Sequence, residues 1–187
     1  MSAQTSPLAN DKNIANDKNI MEMQKRKPTR LKEYDYSTPG AYFITICVKD
    51  RKELLSKIVG DGVLDVPQNK LTHYGEIADK YIRQMNDYYE HISIDKYVIM
   101  PNHIHMIITI SEGEKPTGSS GTPTPTNSLI PKFVSTFKRY CNREYSMPIW
   151  QRSFHDHIIR GEKDYLKIWE YIDTNVLKWE DDCFYNE

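Results

Sequence analysis

The sequence lacks the features that mark several specialised classes of protein. Its three cysteines, Cys47, Cys141 and Cys183, lie far apart and form no Cys-x-x-Cys pair, which argues against a disulfide framework and a thiolate zinc site. No apolar run reaches the roughly 20 residues that cross a bilayer, and the N-terminal residues lack the apolar core of a signal peptide. We therefore expect a cytoplasmic protein with no membrane partner.

The chain also lacks an excess of charge of either sign. Its 25 Lys and Arg residues balance 26 Asp and Glu residues, for a formal net charge of −1. This balance argues against a polycationic chromatin protein and an acidic disordered protein. Hydrophobic residues make up 39% of the 187 residues, below the globular average. We therefore expect one folded domain with an unfolded part.

The polar N-terminal segment, residues 1–33, is predicted to be a disordered tail. It contains two short copies of Asn-Asp-Lys-Asn-Ile, too few to build a repeat fold. Arg30 belongs to a basic patch at the end of this tail, which is either a nucleic-acid-binding arm or a solvated linker. The folded domain is predicted to span residues 34–187, with a flexible surface loop at about 111–128 that is rich in Gly, Pro, Ser and Thr.

The apolar periodicity of the domain predicts an α+β fold. Strands and helices follow one another as strand, helix, strand, strand, helix, strand, helix, which is a split β-α-β arrangement. This order predicts a ferredoxin-like antiparallel sheet with packed helices. The predicted strands cover residues 40–48, 94–100, 103–110 and 154–159, and the predicted helices cover 71–89, 129–144 and 163–178.

Two histidines share one face of a predicted strand. Successive side chains of a strand point to opposite faces, so His103 and His105 lie together while the Ile and Met residues that alternate with them form an apolar face. Two imidazoles one pleat apart can both ligate one metal ion if a third ligand comes from elsewhere. The alternative is a pair of half-exposed surface histidines without a metal.

The last predicted helix carries a phenol and an amide on one face. Tyr171 and Asn175 are four residues apart and lie beside the apolar stripe rather than within it. An amide oxygen beside a phenol would bring a metal ligand and a nucleophile together. The alternative is a border tyrosine that covers the core.

Two segments together resemble a known family of enzymes. Met-Pro-Asn-His-Ile-His at residues 100–105 resembles the His-hydrophobic-His (HUH) signature of the single-strand DNA transposases that use one catalytic tyrosine. Trp-Gln-Arg-Ser-Phe-His-Asp-His-Ile-Ile-Arg at 150–160, followed by Tyr-Ile-Asp-Thr-Asn at 171–175, resembles their REP-associated branch. The similarity covers about residues 34–179. One departure is Val176, which stands where the family usually has proline.

The resemblance implies a site, an activity and a partner. By motif position, His103 and His105 correspond to the metal-binding pair, Asn175 to the third ligand and Tyr171 to the nucleophile. The metal would be Mg²⁺ or Mn²⁺, although ligand softness alone also allows Zn²⁺. The enzyme would cleave and rejoin single-stranded DNA at hairpin or palindromic ends through a 5′-phosphotyrosine intermediate, as a monomer or a homodimer.

A basic helix face could bind the DNA backbone. Lys132, Arg139 and Arg143 share the polar face of the second predicted helix and form a predicted phosphate track. An ordinary solvated helix face is the alternative.

Two other functions remain open from the residues alone. A metallohydrolase would use the His pair to activate water and would leave no DNA attached to the protein. A non-catalytic module would bind structured nucleic acid without cutting it.

Overall fold

The computed structural model describes residues 31, 34–60, 66–112 and 128–185. The predicted tail at 1–33, with Arg30, and the predicted loop at 111–128 lie almost entirely outside these residues. Within them the elements follow the predicted order, and the segment before the first helix, for which the sequence indicates a hairpin or a loop, contains a two-stranded hairpin. The strands are β1 (Gly40–Cys47), β2 (Ser56–Val59), β3 (Gln68–Leu71), β4 (Ile92–Ile99), β5 (His103–Ile110) and β6 (His155–Ile159), and the helices are α1 (His73–Tyr88), α2 (Leu129–Tyr145) and α3 (Glu162–Thr174).

A four-stranded sheet forms the centre of the fold. Its strands lie in the order β4-β5-β1-β6, and every neighbouring pair is antiparallel. This is the strand order of a ferredoxin-like sheet, so the predicted α+β class is confirmed. Strands β2 and β3 pair separately as an antiparallel ribbon.

The first helix begins where the sequence provides a cap and a close approach. The Thr72 hydroxyl accepts a hydrogen bond from the amide of Gly75 at the start of α1, which satisfies one free helix donor. A side chain at Gly75 would collide with the carbonyl oxygen of Leu55. Glycine at this position therefore allows the helix to lie against the preceding chain.

Helices α1 and α2 cover one face of the sheet and form the main core. The apolar side chains of β5 alternate as predicted, and Ile104 and Met106 are fully buried on this face. They share a cluster with Phe133 and Phe137 of α2 and with Ile82 of α1. The apolar stripes of both helices are thus buried against the sheet.

Helix α3 covers the opposite face through a smaller apolar cluster. Ile168 and Ile172 of the helix pack against Ile107 of β5 and Ile159 of β6. The helix ends at Thr174, four residues before the predicted end. In the turn that follows, the amide of Lys178 is shared between the carbonyl groups of Thr174 and Asn175, as is common where the last turn of a helix tightens. No helix in the described ranges is long and apolar enough to span a membrane.

The chain after α3 turns back over the end of β5. A short 3₁₀ turn, Trp179–Asp181, leads into residues 182–185. The Asn102 amide donates to the Phe184 carbonyl oxygen at 2.8 Å, and the Arg51 guanidinium donates to the Cys183 carbonyl oxygen at 3.0 Å. We call residues 179–185 the return segment. It closes the end of the α3 face beside the histidines.

Candidate active site

The structure brings His103 and His105 together on the α3 face of the sheet. Their ring centroids are 4.3 Å apart, and the residues are 0% and 1% exposed. The two histidines are therefore not the half-exposed surface pair of the alternative interpretation. Strand alternation places the rings side by side, and α3 with the return segment covers them.

Each imidazole is oriented by a hydrogen bond at Nδ1. The amide oxygen of Asn102 lies 2.8 Å from Nδ1 of His103; because this oxygen only accepts, Nδ1 donates and Nε2 of His103 keeps its lone pair. The Thr45 hydroxyl lies 2.8 Å from Nδ1 of His105. Partners of this kind at the distal nitrogen fix the ring of a metal-binding histidine.

Both imidazoles are held in the neutral form. Burial, together with the positive charge of Arg51, lowers the pKa of His103 to about 4, although the Asp182 carboxylate acts in the opposite direction. Burial, with smaller contributions from His103 and His155, lowers the pKa of His105 well below its usual value. A neutral imidazole has a free lone pair, which a metal ligand requires.

Tyr171 reaches the histidines from α3. Its phenolic oxygen lies 3.1 Å from Nε2 of His105 and donates to Oδ2 of Asp182 at 3.0 Å. The residue is 38% exposed, so it is partly accessible to solvent. Burial, followed by the negative charge of Asp182, raises the pKa of Tyr171 above its usual value, and the hydroxyl is protonated at neutral pH.

Asn175 lies one turn beyond Tyr171 and is almost fully buried, at 2% exposure. Its side-chain nitrogen donates to Oδ2 of Asp182 at 2.8 Å. A carboxylate only accepts hydrogen bonds, so this contact fixes the orientation of the amide. Its oxygen atom, Oδ1, is left buried without a hydrogen-bond partner among the described residues.

The donor atoms fit a divalent cation. Nε2 of His103 is likewise buried and lacks a hydrogen-bond partner within the described part of the chain, and such orphaned acceptors are costly unless a ligand or ion satisfies them. The cluster of His103, His105 and Asp182 places one donor atom of each residue within 4.8 Å of the others. Imidazole nitrogen with amide and carboxylate oxygen is a donor set that suits Mn²⁺ and related divalent ions.

Sequence reasoning missed two residues of this site. Asp182 lies in the return segment, where no periodicity or motif indicates its position. Asn102 stands between the proline and the first histidine of the quoted motif, and its side chain holds both His103 and the Phe184 carbonyl. An amide next to a His-x-His pair was a signal that could have suggested this role.

The predicted phosphate track lies on the other side of the sheet. Lys132, Arg139 and Arg143 are exposed on α2, the helix that packs on the face opposite the histidines. Arg139 lines a surface pocket together with Arg152. The three α2 residues therefore remain predicted DNA contacts that lie away from the cluster around His103, and Arg30 lies outside the described residues.

Comparisons with known proteins agree with this architecture. No family model matches the chain. It is 33% identical over 173 residues to an uncharacterized protein of Haemophilus influenzae, covering 86% of this chain and 93% of that protein.

Two further relatives have names that assign them to one family. The chain is 27% identical over 148 residues to another Haemophilus influenzae protein, and the alignment covers 77% of this chain and 74% of the relative. It is 25% identical over 143 residues to an Escherichia coli K12 protein, with coverage of 76% and 70%. Both are named REP-associated tyrosine transposases.

A solved structure shares the fold. A REP-associated tyrosine transposase bound to a REP hairpin superposes with a TM-score of 0.56 at 22% identity, covering 80% of this chain and 73% of that one. The chain therefore resembles transposases, which are enzymes that process DNA, in sequence, and it shares the fold of one of them. The named proteins that it resembles are REP-associated tyrosine transposases.

Proposed function

We propose that this protein cleaves and rejoins single-stranded DNA at hairpin or palindromic ends, through a 5′-phosphotyrosine formed on Tyr171. The observation that carries the proposal is the position of the Tyr171 phenol, 3.1 Å from Nε2 of His105. The hydroxyl of a partly exposed tyrosine beside a cluster of buried metal ligands is the arrangement that nucleophilic phosphoryl transfer needs.

The chemistry assigned to Tyr171 is a transesterification. The phenolic oxygen forms a bond to phosphorus while the bond from phosphorus to the 3′-oxygen breaks. The proton that the phenol loses is matched by the proton that the 3′-oxygen gains. Because the phosphodiester is exchanged for a phosphotyrosine ester, a 3′-hydroxyl can attack in the reverse direction and rejoin the strand without ATP.

His103, His105 and Asn175 are proposed to hold Mg²⁺ or Mn²⁺ next to the phenol. A divalent ion at this position would neutralise charge on the non-bridging phosphate oxygens as phosphorus is attacked. The contribution of the chain is to keep both imidazoles neutral and oriented, and to keep the Asn175 oxygen buried and free of donors.

The proposed DNA partner follows from the relatives and from the exposed cations. The similar structure is a REP-associated tyrosine transposase bound to a REP hairpin, which supports a hairpin ligand for this chain. Exposed Lys and Arg residues on α2 could contact the stem phosphates on the face opposite the site, while a single-stranded flank reaches Tyr171.

A covalent-capture experiment tests the proposal. The full-length protein is incubated with Mn²⁺ and an oligonucleotide that joins a hairpin, taken from inverted repeats flanking the gene, to a single-stranded arm labelled on the 3′ side of the cut. We expect the label to migrate with the protein in denaturing electrophoresis, and mass spectrometry to place the phosphotyrosine at residue 171. Clean cutting without any covalent species would identify a metallohydrolase instead, and binding without cutting would identify a non-catalytic module.

A further inference from the structure

Asp182 is the one carboxylate in the cluster formed with the two histidines. Among the described residues, no other group of three His, Cys, Asp or Glu side chains is arranged to hold a metal ion. The residue comes from the return segment, outside both motifs that carry the family resemblance. Asp182 therefore reaches the site through the tertiary fold and not as part of either motif.

The carboxylate is held in place from three directions. Oδ1 accepts a hydrogen bond from the Phe184 amide at 2.8 Å. Oδ2 accepts from the Asn175 amide at 2.8 Å and from the Tyr171 hydroxyl at 3.0 Å. Each oxygen of a carboxylate has two lone-pair sites, so Oδ1 retains capacity for a further partner.

The charge of a divalent cation also favours a carboxylate among its ligands. Two neutral imidazoles and one neutral amide bring no negative charge to a buried divalent cation, and cation affinity rises with the number of charged ligands. Removing an ion from water without a compensating charge is expensive. The Asp182 carboxylate provides that compensation at the position where the buried donor atoms converge.

The return segment is anchored so that it can carry such a ligand. The Phe184 ring lies over His103 with a centroid separation of 4.5 Å, and the carbonyl of the same residue accepts from Asn102. Asn102 also orients His103. One side chain therefore positions both a histidine and the segment that delivers the carboxylate.

We propose that Asp182 is a fourth, anionic ligand of the divalent cation, delivered by the return segment to His103, His105 and Asn175. This inference rests on the proposed metal-dependent function and adds a residue to its site. A group whose donor atoms are at most 4.8 Å apart needs only a small contraction to share one ion.

The test measures metal binding rather than activity. Full-length wild type, Asp182→Asn, Asp181→Asn and His105→Ala are each titrated with Mn²⁺, and free Mn²⁺ is followed by electron paramagnetic resonance. We expect Asp182→Asn to raise the Kd at least about tenfold. Asp181→Asn, the matched control, removes the same charge from the exposed neighbour and should leave the Kd within about twofold of wild type.

The outcomes separate this inference from the function on which it rests. Unchanged or tighter Mn²⁺ binding by Asp182→Asn, with binding lost in His105→Ala, would overturn the ligand role of Asp182 and leave the proposed metal site standing. Absence of Mn²⁺ binding by wild type would overturn both. Circular dichroism checks that each variant is folded. If Asp182→Asn does not fold, Asp182→Ala replaces it in the titration and should weaken Mn²⁺ binding at least as much.

Discussion

The Tyr171 hydroxyl and the His105 imidazole meet at 3.1 Å although they are 66 residues apart in the sequence. His105 is fixed by the sheet and Tyr171 by the packing of α3 across it, where Ile172 contacts the same apolar cluster as Ile107. Their contact is therefore a consequence of how one helix lies on one strand.

Replacing Tyr171 by phenylalanine should abolish cleavage and leave the fold intact. The change removes only the hydroxyl, so the ring still packs beside Phe43, with a centroid separation of 6.0 Å, while the proposed nucleophile is lost. We expect strand cleavage to fall at least about a thousandfold, measured with a labelled single-stranded oligonucleotide. DNA binding by gel shift should change less than about threefold.

Tyr165→Phe is the matched control on the same helix. Its hydroxyl donates to Asp95 at 2.9 Å and lies outside the histidine cluster, so cleavage should be nearly normal. Label retained covalently by Tyr171→Phe, or found on a different tyrosine, would show that the nucleophile is misassigned.

Removal of the metal should stop cleavage without releasing the DNA. His105→Ala deletes a ligand from the proposed site, and excess EDTA removes the ion from the wild type, so both should reduce cutting to background. Hairpin binding should be largely retained, because the predicted DNA contacts lie on the other face of the sheet. Cutting in EDTA that equals cutting in Mn²⁺ would contradict metal dependence.

Thr45→Val tests whether the hydrogen bond behind His105 matters. Valine has nearly the same shape but lacks the hydroxyl that lies 2.8 Å from Nδ1 of His105. Loss of such a partner typically weakens metal affinity about 10–100-fold, and calorimetric titration with Mn²⁺ measures it. A Kd that matches the wild type would mean that packing alone, including the ring of Phe43 stacked on His105, orients the imidazole.

Much of this site could be predicted from local patterns in the sequence. Strand alternation predicted that His103 and His105 share one face, and helical spacing predicted that Tyr171 lies beside Asn175. The family resemblance of the two motifs then assigned both pairs to one site. The α+β class followed from the order of the elements. Within each pair, the shared face is encoded by residues that are neighbours in the chain.

The return segment could not be predicted in this way. Its path is set by contacts with distant parts of the chain, such as those of Phe184 with Asn102 and His103, and seven irregular residues carry no periodic signal. Asp182 was missed for this reason. The burial of the histidines was underestimated for the same reason, since the return segment covers them.

The basic face of α2 should contribute a salt-dependent part of DNA affinity. If Lys132, Arg139 and Arg143 each contact one phosphate, replacing all three by glutamine should reduce the slope of log K against log salt by up to about 2.7. Fluorescence anisotropy with a labelled hairpin over a range of NaCl concentrations measures the slope. An unchanged slope would return these residues to the role of an ordinary solvated helix face.

Loosening α3 should weaken the fold and the metal site together. Ile172 is 2% exposed and packs between the helix and the sheet, so Ile172→Ala should lower the free energy of unfolding by about 2–5 kcal/mol, measured in urea. Because α3 also carries Tyr171 and Asn175, Mn²⁺ affinity should fall in the same variant. Leu166→Ala, on the same helix but 57% exposed, should change stability by less than about 0.5 kcal/mol. Equal effects of the two substitutions would mean that the α3–sheet contact does not hold the site together.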